Sequence, residues 1–440
     1  MESAVSVNLP KGTRDLLPAQ MKLRLDVIAR VREVFTRYGF EPLETPAFER
    51  IETLMGKYGE EGDKLIYKIL RRGEGGERGE SDLALRYDLT VPLARVVAMH
   101  QDLPMPFKRY QIQPVWRAER PQKGRFREFY QCDVDTVGSA DRTADAECVA
   151  VVYDSLRALN FPEFTIRLNH RQVLRAIAEA AGAAERETSV LIAVDKLDKI
   201  GWDGVSNELT ERGISTDTVS KLQELLAVSG DAAFAHLDKL LSERGRQGLT
   251  ELQRVLEYAL AMGVDERFVR FEPTLARGLD YYTGPVFETV LPPPSVGSVS
   301  GGGRYDGLIG MFSEKRSLPA VGVSLGLERL IVLLEERGDT AQTAAPSVFV
   351  TVFNEALRAT SLQAAGLFRQ AGLTTRVSLD EGTKLGKQLK LADASGARYA
   401  VVIGPDEADQ GVVTVKDLRA GTQQTLPLLE AVGTLKATLG

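Results

Sequence analysis

Residues 107–137 read FKRYQIQPVWRAERPQKGRFREFYQCDVDTV and predict two strands joined by a basic turn. The second arm alternates with the period of a strand, with an apolar face of Phe126, Tyr130, Val134 and Thr136 and a polar face of Arg127, Phe129, Gln131, Asp133 and Asp135. In the first arm Val115, Arg117 and Glu119 share one face. The turn, residues 120–125, carries three positive charges, which suits a mobile loop that grips polyphosphate. An ordinary antiparallel hairpin with one solvated face is the alternative, although Phe129 is unusual on such a face.

The bulk composition is that of a soluble globular protein with room for two to four domains. The chain has 440 residues, of which 43% are apolar and 26% charged, and a net charge of −6. A negative net charge excludes a protein that coats nucleic acids non-specifically, so any RNA binding must come from local basic patches. Two cysteines, Cys132 and Cys148, cannot form a disulfide framework, and we expect a cytoplasmic protein with no signal peptide or membrane span. The three histidines have no metal-ligand spacing, so we expect no transition-metal site.

Upstream of the hairpin the pattern predicts a helix, a loop and a second helix. Apolar residues recur at helical spacing after residues 11–18, and Gly39 is placed to end that helix. Residues 40–48 are expected to be extended, and residues 60–81, rich in Gly, Glu and Arg, to form a flexible exposed loop. Residues 83–90 alternate as a strand, and Thr90 is predicted to cap the helix that follows. Asp88 and Thr90 therefore stand at a strand end, a usual position for groups that face a ligand.

Downstream of the hairpin, residues 140–159 predict a helix and residues 164–168 a strand, before a helical insertion over residues 180–262. Strand patterns return at residues 277–284 and 286–290, and the glycines of residues 301–307 would let the backbone approach a ligand closely. Residues 320–329 read as a strand that turns into a helix. Arg329 in its first turn is locally unfavourable beside the helix dipole, which suggests that Arg329 has a partner; an ordinary surface arginine is the alternative.

After a polar linker, strands alternate with helices and predict a small separate α/β domain with a mixed sheet. Lys384, Lys387 and Lys390 recur on one side of its second helix. A solvated face explains this spacing, and a patch that binds the RNA backbone is the sharper interpretation.

The hairpin resembles motif 2 of the class II aminoacyl-tRNA synthetases, and specifically of the histidyl-tRNA synthetase family. The resemblance rests on Arg117-x-Glu119, the basic loop and the returning Phe129-Tyr130-Gln131. The first helix and the extended residues 40–48 resemble motif 1, which builds a homodimer interface in that family. Residues 320–329 resemble motif 3, and Arg277-Gly-Leu-Asp-Tyr-Tyr282 is similar to the signature of the histidine-specific enzymes. The resemblance covers nearly the whole chain.

The resemblance implies an α+β catalytic core on an antiparallel sheet, a helical insertion and a C-terminal α/β domain that binds the anticodon. The implied division is core residues 1–179 and 263–338, insertion 180–262, linker 339–346 and anticodon-binding domain 347–440. The insertion's residues 194–200 (VDKLDKI) look like those of eukaryotic-type members, as do residues 86–90 and 127–133, whereas Arg120-Pro-Gln122 looks bacterial.

The resemblance also assigns roles to residues. Arg117 and Arg277 would be catalytic, flanking the α-phosphate of ATP. Arg125 and Arg329 would hold the γ-phosphate, Glu119 would accept from the adenine amino group, and Phe129 and Arg329 would stack on the ring. Arg117 and Arg277 would also contact histidine. The other histidine-binding residues would be Asp88, Thr90, Gln131, Asp135, Tyr281, Tyr282 and Tyr305. Asp88 and Asp135 stand where bacterial-type members have Glu, so both side chains are a methylene shorter.

The implied reaction is ATP-dependent ligation of L-histidine to histidine tRNA through a histidyl adenylate, with Mg²⁺ entering with ATP. Arg120 and Gln122 would meet the tRNA acceptor end, and the partners would be tRNA, histidine, ATP and a second copy of the chain, with no membrane. The main alternative is a non-catalytic paralogue that binds histidine and regulates histidine biosynthesis; a synthetase-like sensor of uncharged tRNA is a third. The joint presence of Arg117, Glu119, Arg277 and Arg329 favours the enzyme.

Overall fold

The chain forms two compact units, Met1–Ala341 and Gln342–Gly440, which are described separately. The computed structural model describes residues 7–276, 281–293, 296–313, 317–339, 347–379 and 382–439, with the side chains of residues 60 and 61 excepted. Over these ranges, none of the helices is both long and apolar enough to cross a bilayer.

The first unit contains thirteen α-helices, a large sheet and a small sheet among its described residues. Its helices are α1 (Pro18–Arg37), α2 (Ile51–Leu54), α3 (Gly59–Asp63), α4 (Glu74–Glu77), α5 (Thr90–Met99), α6 (Arg142–Ala158), α7 (Arg171–Ala180), α8 (Glu187–Val194), α9 (Leu197–Glu211), α10 (Thr216–Leu225), α11 (Asp231–Asp238), α12 (Glu243–Ala261) and α13 (Leu327–Glu336). Its strands are β1 (Glu41–Pro42), β2 (Phe48–Arg50), β3 (Lys68–Leu70), β4 (Ser81–Leu85), β5 (Phe107–Trp116), β6 (Glu128–Val137), β7 (Thr165–His170), β8 (Val269–Phe271), β9 (Pro285–Val290), β10 (Ser300–Arg304) and β11 (Ala320–Gly326). Short 3-10 helices occupy Ala184–Arg186, Glu266–Phe268 and Ile309–Met311.

The main sheet has the order β1-β5-β6-β11-β10-β9-β7-β8. Neighbours from β5 to β7 are antiparallel, whereas β1 and β8 join the two edges in parallel. The predicted core on an antiparallel sheet is therefore confirmed, with parallel pairs only at its edges. The predicted hairpin is β5 and β6, paired from Phe107↔Val137 to Trp116↔Glu128.

Helix α1 forms because apolar residues recur every three or four positions along one stripe. Val27, Val31, Val34 and Phe35 are at most 1% exposed, and each contributes about 1.5–3 kcal/mol by burial. The helix ends at Arg37, and Gly39 adopts φ +75°, a conformation that glycine reaches without strain. The buried Glu328 of α13 anchors this helix to the sheet, because it accepts from Arg24 Nη2 at 2.6 Å and from Tyr130 N at 3.2 Å.

The prediction of a flexible loop over residues 60–81 is wrong. The segment contains part of α3, the strand β3 and α4, and β3 pairs with β4 in a small sheet of order β2-β4-β3. The glycine-rich composition predicted a loop. The backbone groups of β3 are instead satisfied by pairing with β4, and a strand of three residues is too short for its periodicity to be recognised in the sequence.

Two further predictions need correction. Residues 281–284 form a turn and irregular backbone instead of a strand; residues 277–280 lie outside the described residues. The glycines of residues 301–303 belong to β10, and close approach there is to protein. A Cβ atom at Gly302 would lie 2.2 Å from Gly322 O, and one at Gly303 would lie 2.9 Å from Tyr282 Cδ1. Glycine is needed at these positions for strand and ring packing.

The second unit is an α/β domain with a mixed sheet, as predicted. Its strands are β12 (Val348–Val350), β13 (Thr375–Val377), β14 (Tyr399–Val402), β15 (Val412–Asp417) and β16 (Gln423–Pro427), in the order β13-β12-β14-β15-β16. The 3-10 helix Glu355–Leu357 precedes helices α14 (Arg358–Gln370), α15 (Leu385–Ala394), α16 (Pro405–Gln410) and α17 (Leu428–Leu439). The first three strands are parallel and the last two are antiparallel. The sequence pattern missed α16 and β16. Most of the predicted linker lies outside the described residues.

Candidate active site

The polar face of β6 is buried against other parts of the protein. Asp133 and Asp135 are each 2% exposed, whereas Gln131 and Phe129 are half-buried. A hairpin with one solvated face is therefore wrong for this chain. Asp133 and Asp135 are thus less exposed than Phe129 and Gln131, and we refer to this polar face as the pocket, with its open end at Phe129 and its closed end at Asp135.

The closed end is built around the Asp135 carboxylate. Tyr305 donates its hydroxyl proton to Asp135 Oδ1, and Asp135 Oδ2 lies 2.8 Å from Arg109 Nη2. Gly322 on β11 faces Asp135, and a Cβ atom there would lie 2.0 Å from Asp135 Oδ1. Burial raises the pKa of Asp135, while the charge of Arg109 and the Tyr305 hydrogen bond oppose that rise. The site thus presents a carboxylate with one cation and one hydroxyl fixed on it.

Three tyrosines, two of them consecutive in the chain, close this end of the pocket. The Tyr281 ring meets Tyr282 edge-on with 5.1 Å between centroids, and meets Tyr305 edge-on at 5.8 Å. Tyr281 and Tyr305 are buried, and Tyr282 is half-buried. Burial raises the pKa of all three phenols, so each keeps its proton and remains a hydrogen-bond donor.

Asp88 and Thr90 lie beside these tyrosines. Asp88 Oδ1 accepts from Tyr58 Oη and from Val91 N, each at 3.0 Å, and Asp88 Oδ2 accepts from Tyr281 Oη at 3.3 Å. Thr90 is the first residue of α5 and hydrogen-bonds to Tyr281. The prediction that Thr90 caps α5 is wrong, since the Asp88 carboxylate accepts the Val91 N–H that a cap would satisfy. Burial raises the pKa of Asp88.

Gln131 lies midway along the polar face of β6. Its Nε2 donates to Ser324 Oγ on β11 at 3.1 Å, which fixes the amide orientation. Its Oε1 is buried and has no hydrogen-bond partner within the part of the chain that the structure describes. A buried acceptor left without a partner costs free energy, so this atom is suited to accept from a bound ligand.

Arg117 stands at the open end, between two aromatic rings. Its Nε donates to Tyr87 O at 3.1 Å, and its guanidinium carbon lies 4.2 Å from the Tyr87 ring centroid and 5.2 Å from that of Phe129. Glu119 Oε1 is 4.0 Å from Arg117 Nη1. These contacts orient a planar cation across the pocket mouth, an arrangement that suits bidentate binding of a carboxylate or phosphate.

The basic turn folds back over the same end. Gln122 and Arg125 exchange backbone hydrogen bonds at 3.1 and 2.9 Å, with Gly124 at φ +70°. Arg125 Nη1 lies 3.7 Å from Glu119 Oε2. The exposed side chains of Arg120 and Gln122 leave the turn towards solvent.

Arg329 comes close to this turn from the first turn of α13. A Cβ atom at Gly124 would lie 3.4 Å from Arg329 Cγ. Arg329 Nη1 donates to the carbonyl and, at 3.2 Å, to the hydroxyl of Ser298, which is the partner that its unfavourable helix position indicated. Arg117, Glu119, Arg125, Phe129 and Arg329 are thus gathered at the open end. Arg277 lies outside the described residues.

Several site residues were missed by the sequence reasoning. Arg109 shares the parity of Arg117 on β5, so strand alternation could have found it. The alternation placed Asp133 on the polar face but gave it no role; its Oδ1 is buried and burial raises its pKa to about 7. Tyr58 comes from a segment with no pattern that points to a ligand, and Tyr87 lies beside Asp88 in the strand of residues 83–90 but was given no role. Among the described residues, no three or more His, Cys, Asp and Glu side chains are grouped so as to hold a metal ion.

Comparison with known proteins gives this geometry a family. The profile of histidyl-tRNA synthetase matches residues 12–330, and that of an anticodon binding domain matches residues 347–438. The chain belongs to the histidyl-tRNA synthetase family. It is similar to a histidine–tRNA ligase of Gloeobacter violaceus, with 43% identity over 96% of each chain, and to one of Aeropyrum pernix, with 42% identity over 98% of each.

Solved structures of this family agree with the fold described above. The crystal structure of histidyl-tRNA synthetase from Nostoc sp. PCC 7120 is 34% identical, with a TM-score of 0.83 over 99% of this chain and 100% of that one. Histidyl-tRNA synthetase from S. aureus shares the fold at 22% identity and a TM-score of 0.71, covering 98% of this chain and all of that one.

Proposed function

We propose that the chain is a histidine–tRNA ligase that joins L-histidine to histidine tRNA at the expense of ATP. The observation that carries this is one polar face of the hairpin, which has Arg117 between two aromatic rings at its more exposed end and the Asp135–Arg109 pair at its buried end. The non-catalytic regulatory paralogue is not favoured, because the nucleotide-facing residues and the C-terminal domain are both present.

In the first step a histidine carboxylate oxygen attacks the α-phosphorus of ATP, and the bond from that phosphorus to the leaving pyrophosphate oxygen breaks. Tyr87 and Phe129 orient Arg117. Arg117 is proposed to neutralise the charge on the α-phosphoryl oxygens, and Arg277 to flank them. Positioning and charge neutralisation supply most of the rate in such transfers. ATP enters with Mg²⁺ as one substrate complex.

The remaining residues at the open end are proposed to hold the nucleotide. Arg125 and Arg329 would bind the γ-phosphate, Glu119 would accept from the adenine amino group, and Phe129 would stack on the ring with Arg329 on its other side. These proposed roles are supported by the short distance between the basic turn and the first turn of α13, which approach each other at Gly124 and Arg329.

Histidine is proposed to lie along the polar face with its imidazole towards Asp135. Asp135 and Tyr305 would hydrogen-bond the ring beside Tyr282, while Asp88, Thr90, Gln131 and Tyr281 would hold the amino and carboxylate ends. A site that hydrogen-bonds the ring rejects isosteres that an apolar pocket would accept. The buried acceptor Gln131 Oε1 supports this placement.

In the second step the 3′-terminal adenosine hydroxyl of tRNA attacks the carbonyl carbon of the adenylate and expels AMP. Arg120 and Gln122, exposed at the turn, are proposed to meet the acceptor end. Residues 347–440 would bind the anticodon, with Lys384, Lys387 and Lys390, all exposed, as a phosphate patch. The insertion 180–262 would separate core residues 1–179 from 263–338, before the linker 339–346. A cytoplasmic homodimer with a motif 1 interface completes the proposal.

The direct test is attachment of labelled histidine to unfractionated tRNA by the full chain with ATP and Mg²⁺. Histidine-specific, ATP-dependent charging is expected. Binding of histidine without any charging would instead support the regulatory paralogue.

A further inference from the structure

Arg109 is a fully buried cation inside the pocket that none of the predicted roles includes. It lies on β5 directly opposite Asp135 of β6, with 0% of its surface exposed. Its Nη2 is 2.8 Å from Asp135 Oδ2 and also donates to Leu89 O at 3.2 Å. Leu89 stands between Asp88 and Thr90, so one guanidinium group joins the two sides of the proposed histidine pocket.

The charges around Arg109 show why a cation is needed there. Buried carboxylates are costly unless a cation compensates them. The titratable groups near Asp135 come from four segments: Asp88, Asp133, Tyr282 and Tyr305, with Arg109 the positive group that contacts Asp135. Asp135 is shorter by a methylene than the Glu of bacterial-type members, and Arg109 reaches it from the neighbouring strand.

We propose that Arg109 is a positioning residue for histidine, which aims the Asp135 carboxylate at the imidazole and ties it to residues 88–90. This inference rests on the proposed function, in which Asp135 accepts a hydrogen bond from the imidazole ring. Gly322 leaves room for the carboxylate on one side, Tyr305 fixes Oδ1, and Arg109 fixes Oδ2. Each Asp135 oxygen therefore has one fixed neighbour, and the orientation of the carboxylate is determined before histidine arrives.

The first test is histidine binding by the full chain carrying Arg109→Met, measured by isothermal titration calorimetry without ATP. The dissociation constant is expected to rise by about 10-fold or more, by analogy with the groups that hold metal ligands in place, whose loss typically costs about 10- to 100-fold in affinity. Arg24→Met is the matched control: Arg24 is also a buried arginine, 3% exposed and ion-paired, but its partner is Glu328. Histidine binding by that variant should stay within about twofold of wild type. Equal effects of the two substitutions would overturn the proposal.

The pH dependence separates positioning from a general structural effect. Without Arg109 the Asp135 carboxylate should take up a proton more readily, and a neutral carboxyl is a poorer acceptor for the imidazole N–H. The ratio of the variant and wild-type dissociation constants is therefore expected to be larger at about pH 6 than at about pH 8. A ratio that does not change with pH would contradict the assigned role.

A second pair of variants tests whether Arg109 acts through Asp135. In an Asp135→Asn background, Arg109→Met should change histidine binding by less than about threefold, because the charged partner is already gone. A full 10-fold effect in that background would overturn the proposal. If Arg109→Met alone does not fold, Arg109→Gln makes the same test, since an amide keeps hydrogen-bond donors but removes the positive charge beside Asp135. Wild-type binding by Arg109→Gln, with unchanged pH dependence, would also overturn it.

The proposed ligase activity and the proposed role of Arg109 can be contradicted separately. Histidine binding is read without turnover, so a wild-type chain that binds histidine but charges no tRNA would contradict the proposed ligase activity and leave the role of Arg109 standing. A chain that charges tRNA normally with Arg109→Met would contradict the role of Arg109 alone.

Discussion

Gly322→Ala should disable the pocket without adding any polar or charged group. The new Cβ atom would lie 2.0 Å from Asp135 Oδ1 and 2.8 Å from Val134 O, whereas ordinary contact begins at 3.4 Å. The Asp135 carboxylate would have to move by about 1.4 Å, away from its positions beside Tyr305 and Arg109. Misplacement by about 1 Å can cost about 100-fold in rate, and overpacking costs about 1–3 kcal/mol of unfolding free energy.

The assay is histidine-dependent pyrophosphate exchange, read together with thermal unfolding. We expect kcat/KM for histidine to fall by about 100-fold in a protein that still folds. Gly366→Ala is the control, because nothing lies within 4 Å of a Cβ atom on that helical glycine; it should keep its exchange rate. Near-normal exchange by Gly322→Ala would refute the claim that Asp135 must occupy its observed position.

Two further predictions concern charge in the same pocket. Burial raises the pKa of Asp133 to about 7 from 3.8, so the folded chain holds a proton that the unfolded chain has lost, and wild-type stability falls as pH rises from about 4 to about 7. Asp133→Asn removes that loss, so its unfolding free energy relative to wild type should grow by up to about 1.4 kcal/mol per pH unit over that range in urea titrations; a difference that is constant with pH would contradict this. Arg277→Ala should fold normally and lose most adenylate formation, because it deletes charge stabilisation in the transition state; near-normal exchange would remove Arg277 from the catalytic set.

Strand alternation was enough to predict the hairpin and its polar face. A period of two assigns each side chain to a face whatever covers that face, which is why residues 107–137 could be interpreted alone. The alternation could not show that the face is buried. That depends on β11 and on Tyr281 and Tyr305, which lie about 150 residues or more further along the chain.

The sequence did not predict the roles of site residues that depend on contacts with residues far away in the chain. Thr90 is a residue type that often caps helices, but the Val91 N–H at the start of α5 is accepted by the Asp88 carboxylate instead. Tyr58 and Tyr281, from other segments, hold that carboxylate in place. Arg109 was visible as a basic residue on a strand, yet only pairing with β6 shows that it faces Asp135. The glycines of residues 301–307 were predicted to let the backbone approach a ligand, but at Gly302 and Gly303 the close neighbours are protein groups, Gly322 O and the Tyr282 ring among them.

The proposed roles of individual residues rest on motif matches together with the geometry of the pocket. The geometry supports a nucleotide end and an amino-acid end, since Arg117 stands where the pocket opens and Asp135 where it closes. The specific chemistry assigned to each end is a proposal about ligands.

The measurement that tests the central claim most directly is pyrophosphate exchange into ATP by the purified chain, with each of the twenty amino acids and without tRNA. Exchange that depends on histidine alone is the predicted result, because it requires both ends of the pocket to act on one substrate pair. No exchange with any amino acid, from a folded chain that still binds histidine, would contradict the account.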